Sequence, residues 1–148
     1  MATTRRKTIA FLQRYENADR KAKSLALEYK KESDLIDAVR STADIDGLPK
    51  GNGIKKETEE KAIRLADKAA ELKIAELDAI HERQEVAEII FQVKNSDQRE
   101  VLFQRYLEYH QKWEEICVKL HMSWGTVHNK HRDGLNEVET ILEAQNLV

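Results

Sequence analysis

Between Trp124 and Arg132 the chain reads WGTVHNKHR, a stretch that holds Lys130, Arg132, His128 and His131 and no acid. At helical period Val127, His131, Leu135 and Val138 recur at four, four and three, so they turn to one side. Trp124, Gly125, His128, Asn129 and Arg132 turn to the other. Those residue types suit a nucleic-acid groove. An asparagine such as Asn129 can pair bidentately with an adenine edge, Arg132 with a guanine, and His128 with a base acceptor or a phosphate. At the helix start, Trp124, Gly125 and the hydroxyl of Thr126 would meet the backbone, where the positive end of the helix dipole favours phosphate. Lys130, Lys112 and Lys119 are better placed for phosphate than for reading bases. Two plainer readings compete: Trp124 as a hydrophobic lid, and Arg132 as the partner of Glu100 or another acid.

Other chemistry finds little to stand on. There is no nucleophile elbow, phosphate loop or His-Glu-x-x-His pattern, and the pairs Glu59-Glu60 and Glu114-Glu115 read as solvated helix faces, so no enzyme is expected. His121, His128 and His131 lie near Cys117, and these types can ligate zinc. The spacing, however, sets residues 128 and 131 on different faces and turns Cys117 inward, so no metal or cofactor is expected. Gly51-x-Gly53 follows no strand and is read as a turn.

The elements that must position the 124–132 face can be read on either side of it. Arg99–Tyr109 carries Val101, Leu102, Arg105 and Tyr106 on one stripe and forms a support helix. After a break at His110-Gln111, Lys112–Leu120 sets Trp113, Ile116, Cys117 and Leu120 on one face. The chain then reverses at His121-Met122-Ser123, and the Ser123 hydroxyl is placed to cap a helix beginning at Trp124.

Leu102-x-x-Arg105-Tyr106, Trp113-x-Glu115-Ile116-x-x-x-Leu120, Ser123-x-x-Thr126-Val127 and His131-x-x-Gly134-Leu135 together resemble the helix-turn-helix of sigma-factor region 4. More narrowly the chain resembles the RinA/ArpU-like regulators of Gram-positive phages, and Gly47-Leu48-Pro49-Lys50-Gly51-Asn52-Gly53-Ile54 is similar to that family's mid-chain loop. The resemblance covers roughly residues 25–142. It implies an activator of late-gene transcription that binds double-stranded DNA, with host RNA polymerase a further candidate partner. His121 stands where such motifs usually have glycine, and Cys117 where they have alanine.

Upstream, Thr3-Thr4 offers a cap to a helical pattern running to about Arg40. Phe11, Tyr15, Ala18, Ala22, Leu25, Tyr29, Glu32, Ile36 and Val39 alternate by four and three along it, a heptad seam. Turn formers fill Ser41–Ile54, including Asp46-Gly47, Leu48-Pro49 and Gly51-Asn52-Gly53. From Lys55 to about Val93 a second helix has one seam through Ala62, Leu65, Ala69, Leu72, Ala79, Val86, Ile90 and Val93. A neighbouring stripe runs through Ile63, Ala66, Ala70, Leu77, Ile80, Ala87 and Phe91. Two stripes make a broad apolar face suited to more than one neighbour. Asn95-Ser96-Asp97 then reads as the hinge between body and reader.

Composition agrees with an elongated, all-α chain. Of 148 residues 35% are charged and 41% hydrophobic, with five Gly and one Pro. Net charge is −2, but residues 1–31 hold nine Lys/Arg against three acids while 57–100 hold seven against twelve. One cysteine allows no intramolecular disulfide. With no run of 18 apolar residues and no apolar leader, a soluble cytosolic protein is expected, with no membrane partner, and the phage resemblance implies that the cytosol is a bacterial host's.

The expectation is therefore a long antiparallel helical hairpin, coiled-coil-like and oligomerising, over residues 1–94, and a sigma region 4-like helix-turn-helix over 95–148. Its function would be sequence-specific DNA binding in transcription control, as a homo-oligomer with a dimer favoured. The alternative is a small DNA-packaging (terminase) subunit, which also joins a helix-turn-helix to oligomerising helices. A third reading is an interaction module whose reader helix has lost DNA contact and binds RNA polymerase or a partner protein.

Overall fold

The computed structural model describes residues 2–45 and 52–147, and they are helical with no strand among them. The α-helices are α1 (Ala2–Leu12), α2 (Arg14–Ile45), α3 (Asn52–Ile90), α4 (Ser96–Leu102), α5 (Trp113–Leu120) and α6 (Trp124–Ala144), with a π-helical turn at Phe103–Leu107 between α4 and α5. No described helix is long and apolar enough to cross a membrane.

The single helix expected up to Arg40 is interrupted at Gln13 and continues to Ile45. The interruption is slight, because Gln13 N–H donates to Ile9 and Asn17 N–H donates to Gln13, both at 3.0 Å. Thr3 and Thr4 lie inside α1 rather than capping it, and the Thr4 carbonyl accepts the Thr8 hydroxyl at 3.0 Å. Helix also takes up both ends of the expected 41–54 linker. Its remaining turn formers, Asp46 to Gly51, lie outside the described residues. The support helix expected over Arg99–Tyr109 starts earlier, at Ser96, and widens into the π turn after Leu102.

Two compact units divide the chain. The first contains residues 1–18 and 79–148, the second Asp19–Asp78. The boundary expected at residue 94 falls inside the first unit, and its core gives the reason. Phe11 and Leu12 of α1, Val86, Ile89 and Ile90 at the end of α3 and Val93 just past it are buried with Leu102, Tyr106, Leu107, Leu135, Val138 and Leu142. The short α1 and the end of α3 with Val93 thus supply six of the twelve buried residues in the core to which α6 belongs. At the break over 95–97, Asn95 Oδ1 accepts Gln98 N–H at 3.0 Å and so caps α4, and Arg99 Nη1 donates to the Val93 carbonyl at 3.0 Å. Gly134 belongs to the same packing, since a Cβ there would lie 3.1 Å from Leu102 Cδ1.

In the second unit Glu32 of α2 pairs with Lys68 of α3. The apolar stripe expected on α3 is left in the open there, with Ile63 62% and Leu77 53% exposed and Ile74 beside them. Leu27, Leu35 and Val39 of α2 are exposed as well.

Candidate nucleic-acid interface

The turn before α6 is built from backbone geometry. His121 closes α5 in the left-handed conformation (φ 55°, ψ 42°), and its N–H donates to Val118 while that of Met122 donates to Cys117 at 3.0 Å. Glycine is the usual residue at such a cap because a side chain costs energy at positive φ. His121→Gly should therefore raise the stability of the first unit by about 1 kcal/mol, seen as a higher urea midpoint; a lower midpoint would mean the imidazole makes interactions worth more than the strain.

Ser123 then caps α6 as its spacing predicted. It is extended (φ −69°, ψ 159°), its Oγ accepts Thr126 N–H at 3.2 Å, and its own hydroxyl donates to Thr126 Oγ1 at 2.8 Å. The helix stands on Val127, buried with Val101 and Ile116, and on Leu135, Val138 and Leu142 in the larger core. Along its outer side Gly125, Thr126, Asn129, Arg132, Asn136 and Thr140 are exposed. Space beside Gly125 is open, with nothing within 4 Å of where a Cβ would sit.

The side chains named from the sequence divide into two groups. Asn129, Arg132, Gly125, Thr126 and Lys112 lie at the surface, and Lys130 is half-buried. Arg132 Nε meets Asp133, its neighbour, at 3.2 Å, rather than Glu100. Both groups are well exposed, so the pair is worth at most about 1 kcal/mol and yields easily to a stronger acceptor.

His128 and Trp124 form the second group. The His128 ring lies between Trp124 (centroids 4.3 Å apart) and Trp113 (4.6 Å), with its Nε2 buried and without a hydrogen-bond partner. His131, expected on a different face, touches the same Trp113 indole at 4.8 Å. Residues three apart on a helix differ by only about 60° in direction, which brings both rings to one neighbour. Trp124 keeps 53% of its surface exposed, so it is both a lid on His128 and a surface group.

The ring series ends at Tyr106, whose hydroxyl lies 2.8 Å from His131 Nε2 with the rings stacked at 24°. Burial, aided by the positive charge of Arg105, lowers the His131 pKa from 6.5 to about 4, and burial raises that of Tyr106 to about 12. At neutral pH the phenol therefore donates and a neutral imidazole accepts, which leaves the ring proton of His131 on Nδ1. Arg105 holds the start of α5 in place: its Nη1 donates to the carbonyls of His110 (3.0 Å) and Gln111 (2.8 Å), and its guanidinium lies over Trp113. Sequence reasoning does not find this aromatic ladder, although His128 and His131 at i, i+3 behind Trp124 are its signature.

Nor does it find a second feature. Arg5 of α1 reaches α6, donating to Asn136 Oδ1 and lying 3.4 Å from Glu139 Oε2. Among the described residues no three His, Cys, Asp or Glu side chains gather as a metal-ligand set.

Fold and surface together define an all-α protein that presents one face of a capped helix to solvent. Residues 40–139 match the sequence model of a family described as a protein of unknown function (DUF1492), and the chain belongs to that family. No curated protein and no solved structure matches it.

Proposed function

We propose that the protein is a sequence-specific DNA-binding regulator of transcription, with α5, the turn and α6 acting as a sigma region 4-like helix-turn-helix. The observation that carries this reading is the open outer face of α6, where Gly125, Thr126, Asn129 and Arg132 are exposed behind a serine cap. Such a face fits the major groove, and the capped N-terminus fits phosphate. In this role Asn129 and Arg132 read bases, and Lys112 and Lys130 meet phosphates. Trp124 and His128 stiffen the helix start, with the exposed part of the indole against the DNA backbone. Activation of a phage late operon in a bacterial cytosol, with contact to host RNA polymerase, is the biological setting proposed from the motif resemblance.

The antiparallel-hairpin reading of the long helices is supported by their ion pairs. Arg14 pairs with Glu82 and Glu85 in the first unit, and Glu32 with Lys68 in the second, so residue numbers rise on α2 as they fall on α3. The open apolar stripe at Ile63, Ile74 and Leu77 favours a second copy as its cover, because contiguous exposed apolar side chains at helical spacing mark association surfaces. The same stripe favours the packaging-subunit alternative if it closes a ring. Light scattering on the protein with a defined duplex separates the two: dimers support regulation, and rings of eight or more support packaging.

Arg132→Ala tests the base-reading role. It should cost about 1–3 kcal/mol at one base position and relax choice there, measured by competition among single-base variants of a bound fragment. An equal loss on every sequence would reassign Arg132 to phosphate.

A further inference from the structure

We infer that Arg5 and Arg6 of α1 form a phosphate clamp at the edge of the groove that α6 enters. The inference rests on the DNA-binding reading and extends it to an element at the far end of the chain. Asn136 lies one turn beyond Arg132 on the same exposed strip of α6, about 6 Å along the helix axis. Arg5 is fixed beside that strip by Asn136 and Glu139. The B-DNA major groove is about 12 Å wide, so a guanidinium one turn on from a base-reading residue and to the side of its helix falls near the rim, where the phosphates run. A guanidinium has five N–H donors; its partners on α6 leave others for a phosphate oxygen.

The buried residues of α1 orient the rest. Thr8, Phe11 and Leu12 face inward, which sets Arg5 on one flank of α1, Arg6 outward next to it and Lys7 on the other flank, each residue turning by about 100°. Arg6 and Lys7 are both exposed. Charge makes the clamp necessary. Past Arg132, α6 carries Asp133, Glu137, Glu139 and Glu143, and residues 101–148 hold five Lys/Arg against seven acids. A helix with that balance approaches a phosphate backbone poorly on its own. Arg5 offsets Glu139 beside the reading strip, and Arg6 adds a cation on its outer side.

The test is fluorescence anisotropy with the full chain and a fluorescein-labelled duplex of mixed sequence, about 24 base pairs long, at salt from about 50 to 200 mM. Removing one cation that neutralises a phosphate should make the slope of log affinity against log salt shallower by about 0.9, so the fourfold rise in salt costs Arg5→Ala or Arg6→Ala about 3.5-fold less affinity than it costs the wild type. Lys7→Ala should keep the wild-type slope. Circular dichroism melts check folding, and if Arg5→Ala melts early, the exposed Arg6 carries the test alone. Wild-type slopes in Arg6→Ala, with binding by the wild type intact, overturn the clamp and leave the reading of α6 standing. No binding by the wild type at the lowest salt removes both.

Discussion

Replacing Leu12 with alanine should destabilise the unit that carries α6 by about 2–5 kcal/mol, although Leu12 sits at the opposite end of the chain. The residue is fully buried among Val86, Ile90, Leu135, Val138 and Leu142. Truncation removes the favourable transfer of the isobutyl group and leaves a void that the surrounding core side chains can close only in part. The protein's two tryptophans, Trp113 and Trp124, both belong to the first unit, so their fluorescence in a urea titration follows that unit alone. The expected result is a lower midpoint with the slope unchanged. Leu27→Ala, at an exposed site in the second unit, should stay within about 0.5 kcal/mol of the wild type. A Leu12→Ala protein as stable as that control would mean that α1 does not belong to the core beneath α6.

The second large effect is a loss of stability in acid that runs through His131. Its folded pKa is about 4 against an ordinary 6.5, so the unfolded chain binds a proton that the folded chain refuses between those values. Stability from this group is complete above about pH 6.5 and is lost as pH falls toward 4, in total on the order of 3 kcal/mol. Protonation would bury a charge, place it near the positive charge of Arg105 and take away the acceptor for the Tyr106 hydroxyl. His131→Gln keeps an acceptor and removes the titration. Unfolding free energies measured from pH 7 down to 4.5 should therefore fall less steeply for the variant, by most of that amount. Parallel curves for the two proteins would show that the imidazole takes up its proton in the folded state as readily as in water.

What the sequence made legible was direction within a helix. Val127, Leu135 and Val138 point inward, Asn129 and Arg132 outward, and Ser123 caps, all as spacing and side-chain chemistry required. What it left open was which neighbour covers a given face. The seam beginning at Phe11 keeps its spacing along the chain with one charged interruption at Glu32, yet Phe11 serves the core under α6, as does Leu12 outside the seam, while Val39 stays exposed. On α3 the two stripes are equally apolar in sequence. Val86, Ile90 and Val93 of one are buried, while Ile63, Leu77 and Ile80 of the other are open. Periodicity sorts residues onto faces, and only tertiary packing decides which faces meet. The π turn at Phe103–Leu107 was hidden for a related reason: one added residue per turn leaves composition unchanged and shifts the register that sets Tyr106 against His131.

The roles of the histidines and of Arg5 follow the same logic. His128 has the chemistry of a base-reading group, but it lies between two indoles that flank it from different helices. Arg5 has the look of a solvated N-terminal cation, but it is bound to α6. The spacing of Trp124, His128 and His131 marks the near half of the ladder, but the Trp113 and Tyr106 rings that complete it, like the α6 partners of Arg5, come from other elements and cannot be read from local spacing.

The outer side of α6 as a reader of DNA is best tested by incubating the purified protein with fragmented genomic DNA, recovering the bound fragments and sequencing them at a low and a high salt concentration. The expected result is a shared short sequence among the recovered fragments, sharper at the higher salt where non-specific attraction weakens, and degenerate at one position for Arg132→Ala. Fragments that sample the genome evenly at both concentrations would contradict DNA reading by this face.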